Sequence, residues 1–302
     1  MFDPLPLRRA LLDWYDAHAR SLPWRIGPAE KAKGAVADPY CVWLSEIMLQ
    51  QTTVPHATPY FLAFTRRWPT ASDLAAAKDE DVMAAWAGLG YYARARNLLA
   101  CARDVAENHG GLFPRDEAGL TRLPGVGAYT AAAVAAIAFD QPANVVDGNV
   151  ERVIARLYAV QAALPAAKAE LKALAGALAG PERPGDWAQA LMDLGATICR
   201  PKAPLCERCP IAFACAARVA GDPQAYPRRS PKVARPRRHG AAFLAVRDGA
   251  VGLVRRPAKG LLGGMLALPS TPWNNRPGNP GPSAPFEAKW QAAGELEHAF
   301  TH

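Results

Sequence analysis

Four cysteines, Cys199, Cys206, Cys209 and Cys215, fall within seventeen residues in the pattern C-x6-C-x2-C-x5-C. No other stretch constrains the fold as tightly, because four thiolates this close together can surround one centre. The first twenty residues, MFDPLPLRRALLDWYDAHAR, mix charge into an amphipathic pattern and lack the apolar centre of a secretion signal. In such a chain a cysteine cluster suggests a metal site over disulfides. Zinc ribbons usually pair two C-x2-C knuckles, and only one is present here; four cysteines also suit a four-iron, four-sulfur cubane. The spacing leaves both open. Pro201, Pro204 and Pro210 punctuate the loops between the cysteines. Cys41 and Cys101 stand alone in apolar helical context and are expected to be buried thiols.

The 302 residues are half hydrophobic, enough for a sizeable core and for two domains. No apolar run reaches the length of a membrane span, which gives the expectation of a cytoplasmic soluble protein. The formal net charge of +8 suits a polyanionic partner, a weak signal by itself. Residues 1–227 read as helices, rich in alanine and leucine, with apolar residues recurring at three and four. Asp38-Pro39 is expected to start the helix carrying VWLSEIMLQQ, and Ser72-Asp73 another; DEDVMAAWAGLG supplies an acidic first turn and closing glycines. Residues 228–238, RRSPKVARPRR, hold six basic residues and two prolines and no acid, the composition of a linker that could also touch phosphate. Beyond it the pattern changes. AAFLAVRDGAVGLVRR reads as a hairpin around Asp248-Gly249, and EAKWQAAG as a helix. Residues 239–302 are therefore expected to form part of an α/β domain that is cut short, since a hairpin and one helix need more sheet.

Between two helical stretches lies LPGVGAYTAAA, from Leu123 to Ala133. Gly125 and Gly127 allow close approach of a ligand to the backbone, and the following helix start offers unpaired N–H groups to an anion. With DEAGLTRL before it and TAAAVAAIAF after it, the segment 116–139 resembles the helix-hairpin-helix of the endonuclease III superfamily of DNA glycosylases. The cysteine loop 199–215 resembles the loop of the same superfamily. The resemblance implies a 4Fe–4S cluster on Cys199, Cys206, Cys209 and Cys215, with structural and DNA-docking roles. It also implies a hairpin that grips backbone phosphate through Gly125 and Gly127, with a bound monovalent cation.

Two carboxylates stand out. Glu46 lies in WLSEIMLQQT, where Trp43, Leu44, Ile47 and Met48 gather on one helical face; Glu46 and Gln50 lie away from its centre, so the pattern alone gives an exposed glutamate. Asp147 precedes a glycine in VVDGNV, as a turn or N-cap residue does. The segment SEIMLQQT closely resembles the SE-x-MLQQT of the MutY adenine DNA glycosylases, and DGN resembles their version of the aspartate motif. In that family the glutamate is the general acid that protonates adenine, and the aspartate lies beside the sugar. The chemistry needs both. Adenine leaves poorly unless protonated, and its loss makes an oxocarbenium-like sugar. One carboxyl must hold a proton near neutral pH and the other must stay ionised. Glu46 is thus the expected acid and Asp147 the stabiliser or nucleophile, oriented by Asn149. Tyr129 occupies the position where bifunctional endonuclease III relatives carry a lysine that forms an imine with the sugar; tyrosine cannot, which implies base removal without strand cutting.

The resemblance places further residues. Gln51, Leu89 and Tyr91 match positions used around the lesion when a base is flipped from the duplex. Arg25 and Gln189 match adenine-side positions, and Trp24 reads equally well as structural. Arg94 and Arg96, in YYARAR, read as solvated cations or phosphate contacts. LLGGMLALP and HAFTH resemble segments of the MutT-like, Nudix-like domain of MutY, where Phe300, Thr301 and His302 would face 8-oxoguanine. FEAKWQAAGELE lacks the glutamate-rich metal box of true hydrolases of that fold, so recognition without hydrolysis is expected. The expected fold is mostly α. It has two helical lobes, one of residues 30–140 and one joining the N-terminus to the cysteine region, with Glu46 and Asp147 across the groove between them. The expected partner is double-stranded DNA with adenine opposite 8-oxoguanine or guanine, bound by a monomer. The competing readings are an endonuclease III-like glycosylase/lyase and a non-catalytic iron–sulfur DNA-binding protein.

Overall fold

The structure is a computed structural model. It describes residues 3–231, 237–257, 260, 262–275 and 284–298. The chain separates into two units, one ending at Pro231 and one comprising the remainder.

In the first unit, five of the described helices begin on an aspartate or threonine cap and the others start without a capping side chain. Helix α1 (Pro4–His18) starts on Asp3, whose carboxylate accepts the Leu5 N–H at 3.0 Å; α2 is the single turn Pro28–Lys31. Helix α3 (Pro39–Leu49) starts on Asp38, which accepts from the Tyr40 N–H at 2.9 Å. Each such cap contributes about 1 kcal/mol. After α4 (Val54–Arg67), α5 (Ala71–Ala75) begins one residue before Ser72, because Thr70 is its cap. The Thr70 hydroxyl accepts from the Asp73 N–H at 3.1 Å while the Asp73 carboxylate accepts from the Thr70 N–H at 3.0 Å, a reciprocal capping box. Next come α6 (Asp79–Ala85), with its acidic first turn, α7 (Ala93–Asn108) and α8 (Glu117–Thr121), capped by Asp116. Then follow α9 (Ala128–Phe139), α10 (Gly148–Leu157), α11 (Lys168–Leu178) and α12 (Pro184–Asp193). A wide π-helical turn, Leu194–Ile198, runs from α12 into Cys199, and short 3-10 turns lead through the cysteine loop to α13 (Ala216–Val219).

The helices form two groups. In one, α3 packs on α4, α7 and α9, α5 on α7, and α8 on α9; in the other, α1 packs on α11 and α12, and α10 on α11, α12 and α13. The contact of α9 with α12 joins them. The groups follow the two expected lobes, with distant parts of the chain meeting in the second.

One expectation fails at α3. The pattern leaves Glu46 outside the apolar face, yet every residue from Val42 to Met48 is buried. The cause is non-local. Helix α9 is itself buried at nine consecutive positions, Thr130 to Ala138, mostly alanine, and small side chains let its axis come close to the side of α3 that periodicity assigns to solvent. The lone cysteines also differ from each other. Cys101 is buried, whereas Cys41 is only partly so and its thiol donates to Asp38 Oδ2 at 3.5 Å.

In the second unit, β1 (Val246–Arg247) and β2 (Ala250–Val251) form the expected hairpin, and Asp248 and Gly249 both have positive φ, 51° and 75°, as a two-residue turn between twisted strands requires. A second ribbon pairs β3 (Val254–Arg255) with β4 (Leu266–Ala267). Residues 287–294, EAKWQAAG, are not helical. An eight-residue helix needs a packed face, and here Trp290 rests on the rings of Phe243 and Phe286 while its neighbours in the segment are exposed. Among the described residues, then, this unit holds two short ribbons and no helix, and the MutT-like domain drawn from the sequence is not confirmed.

Candidate active site

Three of the expected catalytic residues, Glu46 on α3, Tyr129 on α9 and Asp147 at the start of α10, lie close enough to act on one another. Glu46 sits in the middle of α3, 8% exposed. Tyr129, in the first turn of α9, is hydrogen-bonded to it, its phenol donating to the carboxylate. Burial pushes Glu46 up to about 7; the Tyr129 bond opposes this, the charge of Asp147 adds to it and the Arg25 cation opposes it. Burial, followed by the two carboxylates, holds the Tyr129 phenol well above its ordinary value, so it stays a neutral donor.

Asp147 is the N-cap of α10. Its Oδ1 accepts from the N–H groups of Asn149 (2.9 Å) and Val150 (2.7 Å), and its Oδ2 from Asn149 Nδ2 at 2.9 Å. Asn149 is fixed in turn: Arg152 Nη2 donates to its Oδ1 at 2.9 Å, and the same guanidinium donates to Gly195 O (2.7 Å) and Cys199 O (2.8 Å). A continuous hydrogen-bonded path therefore runs from the Asp147 carboxylate to the first cysteine of the loop. It needs a glycine at 195, because a Cβ there would lie 2.6 Å from the Asn149 Cβ.

On the other side of Glu46, Arg25 donates to Asp193 Oδ1 at 2.7 Å, and Arg20 Nε binds the same oxygen at 2.6 Å. The Asp193 side chain is fully buried and shared by the two arginines, so loss of both would leave an uncompensated buried charge, a cost of about 3–5 kcal/mol. Gln189, four residues before Asp193 on α12, is buried, and its Oε1 has no hydrogen-bond partner among the described residues. A buried acceptor left unpaired costs about 1–3 kcal/mol, which marks it as a group that a ligand donor can satisfy. Trp24 is structural: it is buried edge-on to Phe61, with ring centroids 5.2 Å apart.

The residues expected at the DNA gap lie on two turns. Gln51 follows the end of α3 and is exposed; Tyr91 precedes α7 and is partly buried; Leu89 is buried, 5% exposed. Gln51 and Tyr91 both adopt left-handed backbone, φ 57° and 49°, which costs a residue with a side chain roughly 1–2 kcal/mol. Arg94 is not the solvated cation the sequence suggests. It is partly buried, and its guanidinium is occupied by main-chain carbonyls of both turns. Arg96 keeps a half-exposed side chain.

In the hairpin between α8 and α9, Gly125 and Gly127 play different parts. Gly125 has φ +73°, and a Cβ on it would lie 2.5 Å from the Asn97 Cβ; Gly127, the cap of α9, has open space at its Cβ position. Gly127 offers no capping side chain, which leaves the first N–H groups of α9 available to an anion. Gly125→Ala is expected to lower the stability of the helical unit by roughly 2–4 kcal/mol through strain and overpacking, and Gly127→Ala by less than about 1 kcal/mol, the difference between glycine and alanine as an N-cap. Thermal melting of the two variants separates them; equal melting temperatures would contradict the assignment.

The four loop cysteines are free thiols that line one hollow, together with Arg156 and Arg218. Arg156 Nη1 donates to Cys199 Sγ at 3.2 Å. Burial pushes Cys209 up to about 12; a main-chain hydrogen bond from Ile211 opposes this and the other three cysteines add to it. Among the described residues no three His, Cys, Asp or Glu side chains are arranged to hold a single metal ion. Phe300, Thr301 and His302 lie outside the described residues. Arg20, Arg152 and Asp193 escape the sequence reading, although Asp193 at four residues from Gln189, and Arg152 at three from Asn149, share helical faces with expected site residues.

The family model of the HhH-GPD superfamily base excision DNA repair proteins matches residues 44–177, a span that contains Glu46, Tyr129 and Asp147. The adenine DNA glycosylase of Mycolicibacterium smegmatis is 42% identical over 213 residues, 70% of each chain. The chain belongs to the adenine DNA glycosylase family of the HhH-GPD superfamily. The human adenine DNA glycosylase is 39% identical over 314 residues, covering 88% of this chain. The chain spans 57–61% of the length of the three mammalian relatives it matches. Among solved structures, a thermostable thymine-DNA glycosylase superposes with a TM-score of 0.63 at 30% identity, covering 72% of this chain and 97% of that one. Endonuclease III in a non-covalent DNA complex shares the fold, with a TM-score of 0.58 at 22% identity over 73% of this chain and 99% of that one. Among the described residues of this adenine DNA glycosylase family member, no helix is long and apolar enough to cross a membrane.

Proposed function

We propose that this family member hydrolyses the N-glycosidic bond of adenine opposite 8-oxoguanine or guanine in duplex DNA and leaves the strand uncut. One observation carries the reading: a buried glutamate held near 7 faces a second carboxylate that is fixed by three N–H donors. With a pKa of about 7, Glu46 carries a proton in a large fraction of molecules at neutral pH and can pass it to a ring nitrogen of adenine. The C1′–N bond then breaks with its electron pair on the base. The cation left at C1′ faces the Asp147 carboxylate, which stabilises it or traps it. Water adds to C1′, and its proton returns to Glu46. Tyr129 holds the Glu46 carboxylate and supplies no amine, so no imine forms and the sugar–phosphate chain survives. The unpaired Gln189 Oε1 suits the exocyclic amino group of adenine, and Arg25 is held on Asp193, one turn further along α12. Gln51 and Tyr91 would occupy the gap that the flipped base leaves, and the hairpin Gly125–Gly127 and the start of α9 would hold phosphate. Reading of 8-oxoguanine by Phe300, Thr301 and His302 remains part of the same proposal.

The cysteines fit a 4Fe–4S cluster. Their thiols are free and line one hollow together with Arg156 and Arg218, cations that suit a dianionic cluster–thiolate unit. Bound there by Cys199, Cys206, Cys209 and Cys215, the cluster would close the loop 199–215 against α10 and so brace the Arg152 path to Asp147.

The test is a product gel with three duplexes: adenine opposite 8-oxoguanine, adenine opposite guanine, and thymine opposite guanine. Adenine release from the first two is expected, with strand breaks appearing only after alkali. Breaks before alkali, or preferential release of thymine, would overturn the reading.

A further inference from the structure

Gln51 and Tyr91 sit on turns from different parts of the chain, yet a single side chain spans both. Arg94 Nη1 donates to Ile47 O at 2.9 Å, to Met48 O at 3.4 Å and to Gln50 O; its Nη2 donates to Leu89 O at 3.0 Å and Gly90 O at 3.4 Å. Its plane also lies against Trp86 and Tyr91, 5.3 Å from each ring centroid. Three of these carbonyls, on Ile47, Met48 and Gln50, belong to the end of α3, where no further helical N–H reaches them. Two have a sharper role. The Gln50 C=O is half of the peptide plane that enters Gln51, and the Gly90 C=O is half of the plane that enters Tyr91. Those are the two left-handed residues, and such a conformation persists only where the surroundings fix it.

We propose that Arg94 is a positioning residue that locks the Gln51 and Tyr91 turns into one rigid wedge, setting the rate of base extrusion and leaving bond cleavage alone. The proposal rests on the reading of Gln51 and Tyr91 as the residues that enter the duplex. Arginine suits the task and lysine does not, because five donors in one plane can hold carbonyls on two sides at once, whereas an ammonium is a point charge without a stacking face. The guanidinium is also unavailable as a phosphate contact, since both terminal nitrogens are engaged with main-chain carbonyls. Glu46 lies one residue before Ile47, so the test must separate extrusion from the acid.

The experiment uses the full chain, its Arg94→Lys and Arg94→Gln variants, Gln51→Ala, and the Arg94→Lys/Gln51→Ala double variant. All are assayed at a temperature where melting curves show the variants folded. The duplex carries adenine opposite 8-oxoguanine with 2-aminopurine as the neighbouring base, whose fluorescence rises when the adenine leaves the stack. With enzyme in excess, Arg94→Lys is expected to slow both the fluorescence rise and adenine release at least tenfold and by the same factor. Its pH profile should keep the wild-type midpoint. The double variant should be no slower than the slower single variant, because both act on one wedge. Three outcomes overturn the proposal: a normal fluorescence rise with slow release, a displaced pH midpoint, or losses that multiply in the double variant. Wild-type rates in Arg94→Lys also overturn it. A wild-type chain that binds the duplex and gives the fluorescence rise but releases no adenine would instead sink the glycosylase reading and leave the wedge standing.

Discussion

Glu46→Gln is expected to stop adenine release and, above pH 7, to raise the melting temperature of the protein. Both effects come from one environment. In the native state the carboxyl is buried and titrates near 7, and in the unfolded chain near its ordinary 4.5. Between those values the folded protein binds more protons than the unfolded one, so stability falls as pH rises. The stabilising contribution is fully present below about 4.5 and is lost as pH rises through 7. At about 1.36 kcal/mol per unit, the ionised Glu46 costs the folded state roughly 3 kcal/mol at pH 8. Glutamine, neutral at every pH and nearly the same shape, escapes that cost while still accepting the Tyr129 hydrogen bond. The melting difference between variant and wild type should therefore be small near pH 4.5 and grow to roughly 5–10 °C at pH 8. Loss of the acid should cost about 10²–10⁴ in rate, and wild-type activity should decline above pH 7 as the proton is lost. A variant no more stable than wild type at pH 8 would show that Glu46 is not held at a raised pKa.

The second large effect is expected at Asp147→Asn, a fall in single-turnover release of at least about 10²–10³-fold with little change in melting temperature or duplex binding. Asparagine is as good an N-cap as aspartate, so α10 should form. What changes is charge and donor pattern. The oxygen facing the Asn149 N–H and the Val150 N–H survives, but the substituted amide nitrogen points at Asn149 Nδ2, itself a donor. Asn149 cannot simply turn over, because its Oδ1 is held by Arg152. The site thus loses the negative charge that faces the sugar cation, and its orienting amide is frustrated. Release within tenfold of wild type would remove Asp147 from the mechanism, whereas a collapse in melting temperature would reduce it to a cap.

How much of this is legible in the chain follows from how far each interaction reaches. Asp38, Asp116 and Asp147 cap helices, and Asp248-Gly249 turns a hairpin, because those bonds close within three residues and the side-chain types alone allow them. The cysteine spacing likewise pointed to one shared centre, and the four thiols line one hollow; short 3-10 turns, and not chain length, gather them there. Even Thr70 was within reach: its partner Asp73 is three residues on. The segment EAKWQAAG failed for the opposite reason, a helical composition whose described residues are almost all exposed.

The sequence by itself determined the aspartate-capped helix starts, the hairpin turn, the cysteine loop, and the presence of tyrosine where an imine-forming lysine would stand. Only the tertiary structure decided what those residues experience. Glu46 is an acid near neutrality because α9 covers a face that periodicity assigns to water, and desolvation depends on every helix around the group. Arg94 became a clamp because the end of α3 and the turn before α7 were brought to opposite sides of its plane. Local bonding can be read along a chain, but burial and charge are set by whatever the rest of the chain places alongside.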